Sequence, residues 1–141
     1  MTPSVAETIA RPLEMTLEVV VRPNERPRVD GCSVSIMVKW LELGRMELFR
    51  KQGISPRRLE ELGYFLVVIH VEYDLIETPA LLDGFALRTW ESRLTPAKVE
   101  HSYEFRSGGR LVAVGKTVVA CIDRDRVVQK LEETLLRVFA G

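Results

Sequence analysis

Residues 24–35, "NERPRVDGCSVS", gather several groups that could do chemistry in one short stretch of the chain. Glu25 and Asp30 offer carboxylates, Cys32 a thiol, and Ser33 and Ser35 hydroxyls, all just ahead of a strongly apolar run. Ser33 or Ser35 is a ready N-cap for a helix beginning near Val34. The backbone amides of Ser33, Val34 and Ser35 would then lack acceptors inside that helix and carry the positive end of its dipole. Such amides can hold an oxyanion, and a carboxylate facing them can act as base or nucleophile. Asp30 ranks ahead of Glu25 because "VDGCS" sets it beside those amides.

Each group also has a plainer reading. Asp before Gly is ordinary turn chemistry, and Glu25 is a loop charge facing solvent. Glu42 and Arg45 are three apart, the spacing of a local ion pair on a helix. Yet charges on a buried helix need partners, so Arg45 stays a candidate. His70 and His101 fall in strand-like segments with no nucleophile motif nearby, which suits core or interface histidines. Cys32 has no identifiable His partner.

The elements that must position these groups follow from periodicity. Met15 to Arg22 alternates Met15, Leu17, Val19 and Val21 with polar residues, the period of a strand, and Pro23 and Pro27 break it. From Val34 the period is helical. Val34, Met37, Val38, Trp40, Leu41, Met46, Leu48 and Phe49 cover almost the whole circumference, which predicts a helix buried all round. Gly44 would admit a close neighbour, and Gly53 ends the helix. "SPRRLEELG" predicts a short second helix with Ser55 as cap and Pro56 in its first turn. Tyr64–Leu75, Phe85–Arg93, Lys98–Arg106 and Arg110–Ile122 read as four meandering strands, the last two joined by a hairpin turn at "SGG". In the tail, Val128, Leu131, Leu135 and Val138 share one helical face. One antiparallel sheet wrapping one apolar helix satisfies this order, an α+β domain over residues 15–141.

Composition narrows the function classes. A chain of 141 residues suits one domain. Its 20 basic and 20 acidic residues cancel, which argues against broad nucleic-acid binding. Cys32 and Cys121 form no C-x-x-C pair, so neither metal nor cofactor is expected, and a reducing cytoplasm fits best. No apolar run reaches the ~18 residues of a membrane span. Residues 1–14 lack the basic-then-apolar order of a signal peptide and read as a flexible lead-in.

With "WLELGR" inside the long helix, this order resembles the hotdog-fold thioesterases of the 4-hydroxybenzoyl-CoA thioesterase type, over roughly Leu17 to Asp123. Trp40, Leu41, Glu42, Arg45, Leu48, Phe49 and "KQGIS" match the family's helix in register. "FLVVIHVEY" looks like its central strand, and "TPALLDG" like the connection that follows. The resemblance implies hydrolysis of an acyl thioester by a homodimer or homotetramer. The loop departs from the pattern. The family reads Asp-x-Asp-x-x-Gly, its second Asp being the catalytic acid. Counted back without gaps, those acids fall on Glu25 and Pro27, and the glycine on Asp30. Proline neither accepts a proton nor attacks a carbonyl.

Three routes around Pro27 remain. A shorter loop would bring Asp30 into the catalytic place, or Glu25 would reach it. In the third, the chemistry uses no acid, as in the similar thioesterases of enediyne polyketide pathways, which rely on a loop Asn and a helix Arg. Arg45 matches that arginine; the Asn's place is again Pro27, with Asn24 nearby. The family's basic cluster for coenzyme A is thin here, reduced to Arg93 and Lys98 in "ESRLTPAKVE". Acyl carrier protein is therefore as suitable a carrier as CoA. No hydratase box is visible. A protein that binds acyl thioesters or a protein partner without turnover is the alternative.

Overall fold

The computed structural model describes residues 13–25, 34–77 and 84–139. Strand β1 (Glu14–Val19) leads to a single 3-10 turn (Pro23–Glu25), then helix α1 (Val34–Lys51) and the short α2 (Pro56–Glu61). Four long strands follow: β2 (Tyr64–Leu75), β3 (Phe85–Leu94), β4 (Lys98–Ser107) and β5 (Arg110–Asp123). The two-residue β6 (Val128–Gln129) and helix α3 (Leu131–Phe139) complete the order. Ser55 caps α2 by accepting the Arg58 N–H at 3.1 Å, as its sequence predicts.

The strands form one antiparallel sheet in the order β1-β3-β4-β5-β2, with β6 on β5. Only β3, β4 and β5 meander. The expected four-strand meander fails at β2, which lies at the far edge and pairs with β5 from Tyr64↔Asp123 to Leu75↔Ala113. The "SGG" turn is a tight hairpin; Gly108 and Gly109 have φ of 59° and 81°, a conformation that side chains resist. Alternation along β4 holds as read: Val99, His101, Tyr103 and Phe105 are buried.

Helix α1 lies across this sheet, but it is not buried all round. Met37, Trp40, Leu41, Gly44, Arg45, Leu48 and Phe49 recur at the three–four spacing of one helical stripe and face inward. Val34, Val38 and Leu43 remain exposed on the other side. A single sheet can cover only one face of a helix, so the surplus apolar residues are left outside. Val128 also departs from its expected place, since it pairs in β6 with Ile122 and is exposed. Leu131 and Leu135 of α3 do pack inward, against Phe49, Ile54 and Leu59. Of the expected lead-in, Glu14 already belongs to β1 and its carboxylate accepts Arg88 Nε at 2.7 Å; residues 1–12 lie outside the described residues.

The core has two apolar clusters. Trp40 and Leu41 meet Phe85, Leu87, Tyr103 and Phe105 in the first, with Trp40 edge-on to Phe85 at 4.9 Å. Phe49, Val99, Val119 and Cys121 join α3 in the second. Between them, α1 approaches the sheet closely at Gly44. A Cβ built there would stand 2.3 Å from Thr89 Oγ1 and 3.1 Å from Leu87 Cδ2. Thr89 is β-branched and stiff, so Gly44→Ala should lose about 1–3 kcal/mol to overpacking despite its better helix propensity. Urea denaturation checks this. Part of the loss should return in a Thr89→Ala background, whereas unchanged or raised stability in Gly44→Ala would contradict the close approach.

Candidate functional site

A groove of about 570 Å³ runs between the outer flank of α1 and the end of β1. Trp40, Leu43 and Met46 supply an apolar side, and Glu18, Glu25 and Lys39 a polar one. Glu25 is not the solvated charge its loop position suggests; it is 5% exposed. Its N–H donates to the Arg22 carbonyl at 2.9 Å. Its carboxylate accepts the Arg22 N–H at 3.1 Å and Lys39 Nζ at 2.8 Å. The Lys39 hydrogen bond holds the carboxyl below its usual value of 4.5, against the opposing effect of burial. An ionised carboxylate with these donors is a weak base. It latches the end of β1 to α1.

Asp30, Ser33 and Cys32 lie outside the described residues. Val34 and Ser35 open α1, and both are exposed. The helix start thus falls at Val34, as its sequence predicts.

Arg45 does not join that start. It follows Val34 by eleven residues, about 16 Å along the axis. The expected local pair with Glu42 is not formed either: Glu42 lines the groove, while Arg45 turns inward and is 6% exposed. Its Nη1 reaches Tyr103 Oη at 3.5 Å, and that hydroxyl is 2.7 Å from Thr117 Oγ1. His101, fully buried beside this group, stands edge-on to Phe49 at 5.3 Å. Burial, aided by the Arg45 charge, pushes its pKa down to about 3, so the ring is neutral at physiological pH. This is the core histidine expected. His70 is exposed on β2, 3.4 Å from Glu72. Cys121 is buried, and burial raises its thiol pKa.

Arg93 and Lys98 are brought together, lining one depression of about 310 Å³ with Thr95 and Glu100. They sit at the far end of the molecule from the start of α1. Trp40 near that start meets Phe85, the first residue of β3, while Gln52 just past α1 donates to Glu91 Oε1 at 2.8 Å near the end of β3. Eighteen helical residues, about 27 Å, separate the two ends. Within one protomer, the depression and the helix start are not neighbours.

Sequence reasoning missed the polar residues under α1. Thr89, Thr117 and Gln52 are all buried together with Arg45 and His101. Their signal was present in the strand alternation, where Thr89, His101 and Thr117 hold inward positions.

No known family's sequence profile matches this chain, and no curated protein does. Solved structures do. The chain is similar to a DHNA-CoA thioesterase from Staphylococcus aureus, with a TM-score of 0.77 at 20% identity over 85% of this chain and 82% of that one. It is also similar to a 1,4-dihydroxy-2-naphthoyl-CoA thioesterase from Synechocystis, with a TM-score of 0.73 at 14% identity, covering 89% and 95% of the two chains. An acyl-ACP thioesterase from Bacteroides thetaiotaomicron gives a TM-score of 0.72 at 18% identity; the match covers 82% of this chain and 48% of that one. The chain has the α+β hotdog fold of these thioesterases. No helix among the described residues is long and apolar enough to cross a membrane.

The Glu25 latch has a pH signature. A carboxyl whose folded pKa is lowered stabilises the fold above its unfolded value of 4.5 and loses that contribution as pH falls through the folded one. Glu25→Gln should therefore be about 1 kcal/mol less stable at neutral pH, the scale of a partly exposed ion pair. Denaturation across an acid series should show the gap narrowing below that value. A gap that stays constant with pH would contradict the assignment.

Proposed function

We propose that this protein hydrolyses acyl thioesters carried by coenzyme A or an acyl carrier protein, in a reducing cytoplasm. The observation that carries the reading is the hotdog architecture itself. Its long helix begins directly behind the sequence segment that bears Asp30 and is flanked by a groove with an apolar side. A thioester is already an activated acyl donor. It needs an oriented water, donors for the developing oxyanion and a slot for the acyl group. Asp30 takes a proton from water as the oxygen attacks the carbonyl carbon. The negative charge gathers on the carbonyl oxygen, held by the amides of Ser33, Val34 and Ser35. Collapse expels the thiolate, which receives the proton from Asp30, leaving free acid and thiol.

Glu25 is the less suited acid, because Lys39 and the Arg22 N–H already engage its carboxylate. Arg93 and Lys98 are the carrier contacts in this reading. Because they lie toward the end of α1 opposite its start, along a helix about 27 Å long, a carrier shared between two subunits is the arrangement this reading favours. An assembly fits that need. The edge strand β2 offers a long unpaired side with Val68 and Ile69 exposed at 41% and 51%, and α1 leaves Val34 and Val38 uncovered. A homodimer, or a homotetramer built from it, would cover these. Light scattering at micromolar concentration should report a dimer or larger; a stable monomer would remove the shared site.

A thiol-trapping dye with short, long and aryl acyl thioesters tests the activity. If Asp30 is base or nucleophile, Asp30→Asn should lower the rate at least ~100-fold, while Glu25→Gln should do little beyond its effect on stability. Equal rates in both variants and the parent would favour acid-free catalysis. No cleavage by the parent would favour a protein that binds acyl thioesters without turnover, the reading supported by Pro27 in the acid's usual place and by the engaged Glu25.

A further inference from the structure

The groove beside α1 has a graded lining. Val19, Trp40 and Met46 are buried or half-buried and form its floor, while Glu18, Arg22 and Glu42 are exposed and reach solvent from its rim. On the helix side, Lys39, Leu43 and Met46 recur at the three–four spacing of one stripe. The stripe opens polar, where Lys39 Nζ holds the Glu25 carboxylate at 2.8 Å, and turns apolar at Leu43 and Met46. Its next positions, Glu47 and Arg50, are charged again, with Arg50 Nε donating to Glu47 Oε1 at 3.1 Å. Met46 is the last α1 residue to line the groove, and it packs against the second core cluster.

Distances along the helix give this grading a scale. Met46 follows Val34 by twelve residues, about 18 Å along the axis. Lys39 lies only about 8 Å from Val34 by the same rise. An acetyl or benzoyl group held at the helix start would end near Lys39 and leave Leu43 and Met46 untouched. An extended alkyl chain advances roughly 1.3 Å per carbon, from bonds of about 1.5 Å, and so reaches Met46 at about fourteen carbons. Each methylene laid on the apolar floor is removed from water and adds to binding. One carried past Met46 meets the Glu47–Arg50 pair instead, where burial would strip water from charges.

We infer that the groove gauges acyl length, with Met46 as its end stop. The favoured substrates are thioesters of straight-chain acids of about fourteen carbons, rather than of short-chain or single-ring aryl acids. This rests on the thioesterase reading for the reaction and for the carbonyl's place at the start of α1, and on Trp40, Leu43 and Met46 for the recognition.

A turnover arm and a binding arm keep the two separate. In the first, a thiol-trapping dye follows benzoyl-CoA and saturated acyl-CoA thioesters of four to eighteen carbons, each below its micelle concentration. The parent's kcat/KM should rise by up to about fourfold per methylene and level or fall beyond about fourteen carbons. Met46→Ala, which removes three side-chain atoms, should move that break about two carbons longer. Met46→Phe adds bulk, should move the break shorter, and stands in where Met46→Ala is unstable. In the second arm, Trp90→Phe leaves Trp40 as the one tryptophan of the chain, and its fluorescence is titrated with free n-alkanoates of the same lengths. Affinity should break at the same length and shift with the same Met46 variants. A break unmoved in both variants, a rate still rising at eighteen carbons, or a preference for benzoyl or for chains under eight carbons would overturn the inference, while such cleavage leaves the thioesterase reading intact. Absence of all cleavage alongside a Met46-dependent break in alkanoate affinity would sink the thioesterase reading and keep the groove as a chain slot. Neither cleavage nor a length-dependent Trp40 response would remove both.

Discussion

The contact of Gly44 with Thr89 and Leu87 sets the height of α1 above the sheet, and the rest of the molecule is arranged around that height. With no Cβ at position 44, the helix axis comes close enough for Trp40 to reach Phe85 on one side of the contact and for Phe49 to reach His101 on the other. Leu41 makes a second tight approach at Gly115, where an added Cβ would lie 2.8 Å from its Cδ2. These approaches fix which face of α1 is covered. The uncovered flank then becomes one side of the groove, and the end of β1, latched by Glu25 to Lys39, becomes the other.

The same geometry explains an unusual distribution of polarity. Several paired charges sit outside: Arg88 between Glu14 and Glu104 on the sheet's outer face, and Arg50 on Glu47 along the helix. Arg45, whose one hydrogen bond among the described residues is to Tyr103 Oη, sits inside. Water-facing ion pairs contribute little, so the outer pairs say little about function. A buried cation held by a tyrosine hydroxyl is different, because its desolvation is costly and is offset only by close partners.

Much of this was legible in the sequence. The four long strands were readable almost to the residue, because alternation in β4 and the glycine pair after Ser107 leave few other solutions. The Ser55-Pro56 start of α2 was readable from capping chemistry. The position of β2 was not, because pairing with β5 rather than β3 depends on long-range register that local patterns do not encode. The exposed flank of α1 escaped too: Val34 and Val38 look like core when the number of covering layers is unknown. At the site, periodicity marked the helix start, but Glu25 was misjudged because its partner Lys39 is fourteen residues away. The buried polar residues under α1, Thr89, His101 and Thr117, were visible only as polar residues at inward strand positions, whose shared depth emerges once α1 is laid over the strands.

The central claim is that thioester chemistry occurs at the start of α1, with the acyl group running along the groove beside it. A crystal structure with a non-hydrolysable ketone analogue of an acyl-CoA tests it most directly. The account predicts the carbonyl oxygen within about 3 Å of backbone amides at Ser33 to Ser35, with the acyl group between Trp40 and Met46. A carbonyl bound elsewhere, such as the outer face of the sheet beside Trp90 and Lys116, would contradict it.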